Sequence, residues 1–491
     1  MSGKRLTRRE LLRAGFLGAG VAALLAGCKP QIVEVTKIVK EVVKETVVQE
    51  KEKVVERTVV VEKKVEVQKE VTKVVEKVVT KVGAKGELHV AMFSDATVNP
   101  VTDLLIAGLG TRYPEVKVKI DFQVGDYFER IYAQAAAGNL ADVVWTGDSL
   151  TLPFVSNNVL KDLTPFIEVD KEFNFDDLVP VMAGLTKVET KPGIWWLPES
   201  LDVVTMYYNK TALEKVGAPL PSPDWKWDDF VAAGLKVSAE KDKDGNPKVW
   251  MLDYATWSWW ATVFPWTVGF GGDVMDKAGK KSTWSTPESL AGLEYYTSLW
   301  TKHKIAQPLG VDLGGWAFDM GRAVTFFHIP GLRSHFRDAI KDKFEWDAEI
   351  APKMADGKHR TGMGAWGFGI FDKAKMPDVA WDFVKYLDLP TTQIIIAKNM
   401  LGMPVLKSIA NDERWLSAMT PPPKNTMAFI KAAEDAILPR TFPIDCGGEY
   451  TGLVNQSYVA ALEACIRGKS DVKTAFTEAD KKIQECLDKI K

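Results

Sequence analysis

Apolar and polar positions divide this 491-residue chain into three regimes. In the first, Lys4, Arg5, Arg8, Arg9 and Arg13 precede an apolar run from Ala14 to Ala26, the layout of an export signal and too short to span a membrane as a mature helix. In the second, Ile32 to Val82, valine mixes with lysine and glutamate without a glycine, proline or aromatic residue. Val47, Val54, Val61, Val75 and Val82 keep a spacing of seven that Gln68 interrupts. That spacing is coiled-coil-like, but valine is a poor helix former and the valine doublets blur the period. Residues 29–85 therefore read as a solvated stalk or linker, with a coiled coil as the sharper alternative.

The third regime starts near Gly86 and alternates the two periods of a folded α/β domain. LHVAMF alternates as a strand, DLLIAGLGTR reads as a helix closed by Tyr113-Pro114, and VKVKIDFQV is a second strand. A helix over YFERIYAQAAAGN then leads to a buried strand, Ala141 to Trp145, and a polar loop, Thr146 to Ser149. Further on, Pro287 to Trp300 and Asp378 to Leu389 are amphipathic helices, and FFHIPG ends a buried strand with His328 at its tip.

The stretch from Gly193 to Ala218 carries most of the information. Proline cannot donate to a ladder, so IWWL is expected to be a short strand that stops at Pro198, with Glu199 to Asp202 as an acidic loop. VVTMYY follows as a second strand, and Asn209 caps a helix that closes on Gly217.

Composition narrows the reading. A net charge of −2 gives no electrostatic case for nucleic acid. All 17 tryptophans lie between Trp145 and Trp415, more rigid aromatic surface than a core needs. Beyond Cys28 the three cysteines, Cys446, Cys465 and Cys486, allow at most one disulfide within the chain, and no C-x-x-C is spelled. The five histidines lack HxH and HExxH spacings, which argues against a catalytic metal. Gly362 to Gly367 spells GxGxxG but leads into an apolar strand instead of a helix, so no helix N-terminus would face a pyrophosphate.

Ligands of doubly wound sheets sit at the carboxyl ends of strands, which makes Ser94, Asp95, Trp145 and Asp148 candidates. Asp202 could accept hydrogen bonds from ligand hydroxyls, although such loops are most often only turns. Trp257, Trp259 and Trp260 cannot share one helix face, so at least one should face a cleft or water, against the plainer reading of a core helix. His328 is a candidate hydrogen-bonding residue, or else a satisfied structural histidine.

Several runs carry a resemblance in order and spacing: Ile194-Trp195-Trp196-Leu197-Pro198, Tyr207-Tyr208-Asn209-Lys210 and Leu213 to Gly217, flanked by Asn157 to Phe166, Pro223 to Phe230, Phe318 to Thr325, Asp378 to Leu389 and Gly402-Met403-Pro404. Together they resemble the extracellular solute-binding proteins of ABC importers, the large family that includes maltose- and oligosaccharide-binding proteins. Leu140 stands where that family usually has proline, and Asn158 where it has glycine. Leu25-Ala26-Gly27-Cys28 resembles a bacterial lipobox, and Thr7 to Leu12 a twin-arginine signal, with a Sec signal as the alternative.

The resemblance implies two α/β lobes of the type II periplasmic-binding-protein kind, with a ligand cleft between them. Signal and lipobox would take residues 1–28, the stalk 29–85 and the solute-binding domain 86–491. Lobe 1 would hold about 87–200 and 360–408, lobe 2 about 201–355 and 409–491. It implies capture of a small-molecule solute, a sugar or oligosaccharide, for a membrane permease, with Trp366 stacking on the ligand, lipid on Cys28 as the membrane anchor of an exported envelope protein, and no catalytic residue, cofactor or metal. The competing reading is a secreted glycosidase-like enzyme, because aromatics and paired carboxylates also build such clefts.

Overall fold

The computed structural model describes residues 37–46, 56–65, 84–93, 99–123, 127–188, 191–253, 261, 263–311, 313, 315–398, 402–410, 412, 414, 422–438, 440, 446 and 452–489. Two compact units, Met1–Lys77 and Val78–Lys491, divide the chain. In the first, β1 (Lys37–Thr46) pairs antiparallel with β2 (Glu56–Val65), Lys37 opposite Val65 and Thr46 opposite Glu56. Branching at Cβ suits valine to a pleated strand better than to a helix. Of the valines at the seven-residue spacing only Val61 falls in these strands; Val47, Val54, Val75 and Val82, and with them most of the coiled-coil alternative, lie outside the described residues. The proposed signal and lipobox, residues 1–28, lie outside the described residues.

The second unit is a two-lobed α/β fold. Lobe 1 is built on β3 (Gly86–Phe93), β4 (Val116–Gln123), β5 (Val143–Gly147), β6 (Leu197–Val203) and β11, the last strand among the described residues (Met363–Ile370). They lie in the order β4-β3-β5-β11-β6. β3 runs parallel to β4 and β5, and β11 is antiparallel to both β5 and β6. Helices cover the sheet, so central strands are apolar on both faces: Leu88, Val90, Met92, Val143 and Val144 are all buried.

Among the described residues lobe 2 has four strands, β7 (Thr205–Asn209), β8 (Trp250–Leu252), β9 (Ala323–His328) and β10 (Trp346–Glu349), ordered β10-β7-β9-β8. The helices Leu453–Ile466 and Val472–Leu487 pack on this lobe, where Cys446 and Cys486 form a disulfide and Cys465 is a buried free thiol.

Three segments meet where the lobes join. Val204, the one residue between β6 and β7, donates its N–H to Gly362 O at 2.9 Å and accepts the Thr361 hydroxyl at 2.7 Å. Met363 N–H donates to Ile437 O at 2.9 Å, and Ile437 N–H to Thr361 O at 2.8 Å. The carboxyl ends of β5 and β6 and the start of β11 therefore form the end of the lobe 1 sheet that faces lobe 2.

The stretch around Pro198 corrects the sequence reading. Pro198 lies inside β6 instead of ending a strand before it, and the expected acidic loop, Glu199 to Asp202, is that strand. β6 is at the edge of its sheet, so a missing N–H is tolerated there. The register against β11 shifts between Trp366 and Gly367, leaving Ser200 opposite Trp366 and Pro198 opposite Gly367. Glu199 is thus the extra residue of a β-bulge. The GxGxxG run is likewise mostly strand, since β11 begins at Met363.

The helix after β7, Lys210–Lys215, follows its sequence signals: Asn209 Oδ1 accepts the Ala212 N–H at 2.9 Å, and Gly217 leaves the helix at φ +60°. Asn209→Ala is expected to lower stability by about 1 kcal/mol, read from urea unfolding midpoints. A change below about 0.3 kcal/mol would show that neighbouring contacts, not the cap, hold this short helix.

Candidate functional site

The lobe-facing end of the lobe 1 sheet gathers four of the residues singled out from sequence. Trp145 is on β5 and Trp366 on β11, and their rings stack at 4.3 Å with an interplanar angle of 8°. Gly147, opposite Trp366 in the ladder, makes this possible: a Cβ there would come within 2.5 Å of Trp366 Cε3 and 2.7 Å of Ala365 O. Trp145 is only 6% exposed, with Trp366 over one face and Tyr127 edge-on at 5.7 Å. Trp366 keeps partial exposure, so it is the ring that can meet a solute while Trp145 backs it.

Asp148 is not in a polar loop, as expected, but opens the helix Asp148–Ser156 directly after β5. Its Oδ2 accepts the Ala365 N–H at 2.9 Å, which ties the helix start to β11 one residue before Trp366. Asp202 lies near the end of β6, opposite Gly364, so no side chain of β11 faces it at that ladder position. Burial, and then the nearby charge of Asp148, push the Asp202 carboxyl up to about 7. The site therefore holds a stacked indole platform beside two acidic acceptors.

Lobe 2 adds a second set at the joint. His328 ends β9 opposite Thr205, with Phe326 stacked at 5.3 Å and Trp316 tilted at 6.1 Å. Burial lowers its imidazole to about 3, so it is neutral near pH 7. The Tyr207 hydroxyl donates to Ile329 O at 2.9 Å. Burial, opposed by Arg333 and reinforced by Asp202, raises its phenol. Arg333 is wholly buried, donates from Nε to Pro330 O at 2.8 Å and lies 4.9 Å over the Phe429 ring. Burial pushes its guanidinium down to about 10.

Ser94, Asp95, Trp257, Trp259, Trp260 and Cys28 lie outside the described residues. Sequence reasoning missed Arg333, Tyr207 and Trp316. Arg333 opens the amphipathic helix Arg333–Ile340, where a charged residue reads as solvent-facing, and nothing local says that Phe429 covers it. Trp316 had a usable signal, a tryptophan just before the Phe318 to Thr325 run. It is partly exposed and meets His335 edge-on at 4.7 Å.

Comparison with known proteins places this geometry. Residues 100–394, more than half of the chain, match the model of the bacterial extracellular solute-binding protein family. A binding protein of Brucella abortus is 21% identical over 391 residues, 76% of this chain and 86% of that one. An ABC substrate-binding protein of Listeria monocytogenes, solved in complex with cycloalternan, superposes with a TM-score of 0.70 at 22% identity, covering 82% of this chain and all of that one. The GacH receptor of Streptomyces glaucescens, solved unliganded and with acarbose, gives a TM-score of 0.66 at 18% identity over 83% of this chain and all of that one. These relatives are binding proteins, and the glycosidase alternative finds no support among them. With two α/β lobes joined at Val204 and the family's sequence pattern across most of both, the chain belongs to the bacterial extracellular solute-binding proteins.

Proposed function

We propose that this protein captures a sugar or oligosaccharide between its lobes and delivers it to the membrane permease of an ABC importer, without chemical change to the solute. The observation that carries this reading is the Trp145–Trp366 stack beside Asp148 and Asp202 at the lobe-facing end of one sheet. Indole faces suit the CH surfaces of sugar rings, and carboxylates accept hydrogen bonds from hydroxyls at about 1.5–3 kcal/mol each. The cycloalternan and acarbose held by the two structural neighbours are solutes of this chemistry. His328 and Trp316 supply the lobe 2 side, so a solute touching both lobes favours their closed arrangement, which a permease can read.

Thermal-shift screening of the purified chain against a library of neutral oligosaccharides tests the reading, followed by recovery of the bound sugar. A raised melting temperature with the sugar returned intact is expected. A hydrolysed sugar would make the protein an enzyme, and no shift with any sugar would remove the sugar assignment.

The same proposal places lipid on Cys28, anchoring the protein at the outer face of a membrane through the stalk. Cys28→Ala is expected to leave the protein at its unprocessed size or release it into the medium. Membrane-bound protein of processed size in that variant would overturn the anchor.

A further inference from the structure

Behind the cleft-facing surface of β6 lies a second group of acids that the solute site does not use. Glu199, the bulge residue, has no ladder partner on β11, and bulges re-aim side chains. Its carboxyl points inward: Glu199 is 7% exposed, and its Oε2 has no hydrogen-bond partner among the described residues. Asp388 closes the 3-10 turn Tyr386–Asp388, which packs against β6. It is 3% exposed, and its Oδ2 also lacks a partner among the described residues. The buried Thr392 hydroxyl, one turn further on, lacks one too.

Gln393 ties the main chain of Glu199 to the Tyr386–Asp388 turn without touching the Glu199 carboxyl. Its Nε2 donates to Glu199 O at 3.0 Å and Leu387 O at 2.9 Å, which uses both amide hydrogens, and Asp388 Oδ1 stands off at 3.5 Å. Its Oε1 accepts the Val405 N–H at 3.0 Å, pinning the 402–405 segment beside β6. That segment closes the remaining edge: Leu201 and Met403 exchange N–H···O bonds at 3.1 and 3.3 Å, and a Cβ on Gly402 would come within 2.2 Å of Ser200 Cβ.

The charged groups facing this pair form a line. Asp148, at the start of its helix, acts on Asp202, Asp202 on Glu199, and Glu199 on Asp388. From lobe 2, Tyr207 on β7 faces Asp202, and Arg333, from the helix Arg333–Ile340, faces Tyr207. The cation of this line thus stands beyond Tyr207, at the far end from Glu199 and Asp388. Among the described residues no cation stands beside either carboxyl, and two neighbouring carboxylates in a low-dielectric interior without one cannot both ionise near neutral pH.

We propose that Glu199 and Asp388 form a proton-holding carboxyl pair behind β6, and that this pair makes the strand leading into the lobe crossing at Val204 responsive to pH. Burial and then the Asp202 charge push Glu199 up to about 8, and burial and then Glu199 hold Asp388 well above the usual carboxylate range. Near pH 7 the inner end of the line keeps its protons while negative charge collects at the cleft end. Above about pH 8 the pair loses a proton to solvent and two buried carboxylates oppose each other. The pair requires no solute, so its test stands apart from that of the sugar reading.

The experiment uses the full chain and its Glu199→Gln and Asp388→Asn variants. Infrared spectra at pH 7 should show a protonated-carboxyl carbonyl band that weakens in each variant and, in the unaltered chain, fades as pH rises above about 8. Urea unfolding reads the linkage. A group whose pKa is raised on folding stabilises the native state below its unfolded value, about 4.3, and loses that contribution as pH rises through its folded value. The unfolding constant of the unaltered chain should therefore grow relative to that of Glu199→Gln, on the order of a hundredfold between about pH 5 and pH 8. Parallel pH profiles within threefold, or the absence of the carbonyl band, would overturn the proposal. Stability at pH 8 that follows sodium at constant ionic strength would also overturn it, by placing a cation where the proton is assigned. If neither variant folds, the band that persists at pH 7 in Asp202→Asn and its loss above about pH 8 decide, since Asp202 itself is partly protonated at pH 7; its absence in Asp202→Asn would overturn the proposal.

Discussion

Replacing Lys385 with methionine is expected to destabilise the folded protein by about 3–5 kcal/mol near pH 7, the cost of stripping one partner from a buried ion network. The Lys385 side chain, 3% exposed, ends the helix Pro377–Lys385 and donates to Asp170 at 2.5 Å and to Asp382 and Glu172 at 3.0 Å each. Arg112, at the end of the helix Asn99–Arg112, reaches Glu172 at 2.5 Å and Asp382 at 3.3 Å, and the Tyr113 hydroxyl donates to Asp382. Methionine fills the volume but leaves three carboxylates facing one arginine. Burial raises the Asp170 carboxyl, but hydrogen bonds from Lys385 and Trp381 outweigh it and hold Asp170 below its ordinary range; the Arg112 hydrogen bond does the same for Glu172. Groups lowered on folding stabilise the native state above their unfolded values and lose that contribution as pH falls through the folded ones. The penalty of Lys385→Met should therefore shrink between pH 7 and about pH 4, as the stranded acids take up protons. Urea midpoints at the two pH values check this. A loss below 1 kcal/mol at pH 7, or one independent of pH, would show that the network contributes little.

The second large effect is on capture. Asp202→Ala and Trp366→Ala are each expected to weaken binding of the sugar identified by screening at least tenfold, about 1.4 kcal/mol, and together on the order of a hundredfold. One removes a hydroxyl acceptor and the other the partly exposed ring of the stack; because both act on one solute from adjoining positions, departure of the double variant from a hundredfold loss measures their coupling. Trp366→Ala also uncovers Trp145, so melting curves of the unliganded variants must accompany the titrations. Asp202 gives the wild type a pH signature. A solute that donates to its carboxylate selects the ionised form, so affinity should be level above about pH 7 and fall toward tenfold per unit below it, and Asp202→Asn should flatten that slope. Unchanged affinity in both single variants, or a wild-type affinity that rises in acid, would refute the assignment of Asp202 and Trp366.

Local sequence by itself determined the opening β-α-β run of the folded domain and several later elements in their order. Alternation wrote β3, the unbroken Val143-Val144-Trp145 run wrote a strand buried on both faces, and Asn209 and Gly217 bounded a helix where both signals stand. Trp145 and Asp148 could be nominated because the carboxyl end of a parallel strand is a local property. The run of family-like segments was legible for the same reason, each being a strand end, a cap or a helix face. What only the tertiary structure decided depends on partners far along the chain. Trp366 reaches Trp145 because β11 returns from lobe 2 and pairs antiparallel between β5 and β6. The bulge that turns Glu199 inward exists only through that pairing. Pro198 read as a strand end because a missing N–H counts against a strand in general, yet it costs little at a sheet edge, and edge position is set by the whole sheet. Nothing local marks Arg333 or Lys385 as buried, and it took Phe429 over one and three acids around the other to bury them. Periodicity states which face of an element is apolar; which other face covers it is decided by contacts too distant in sequence for a local pattern to carry.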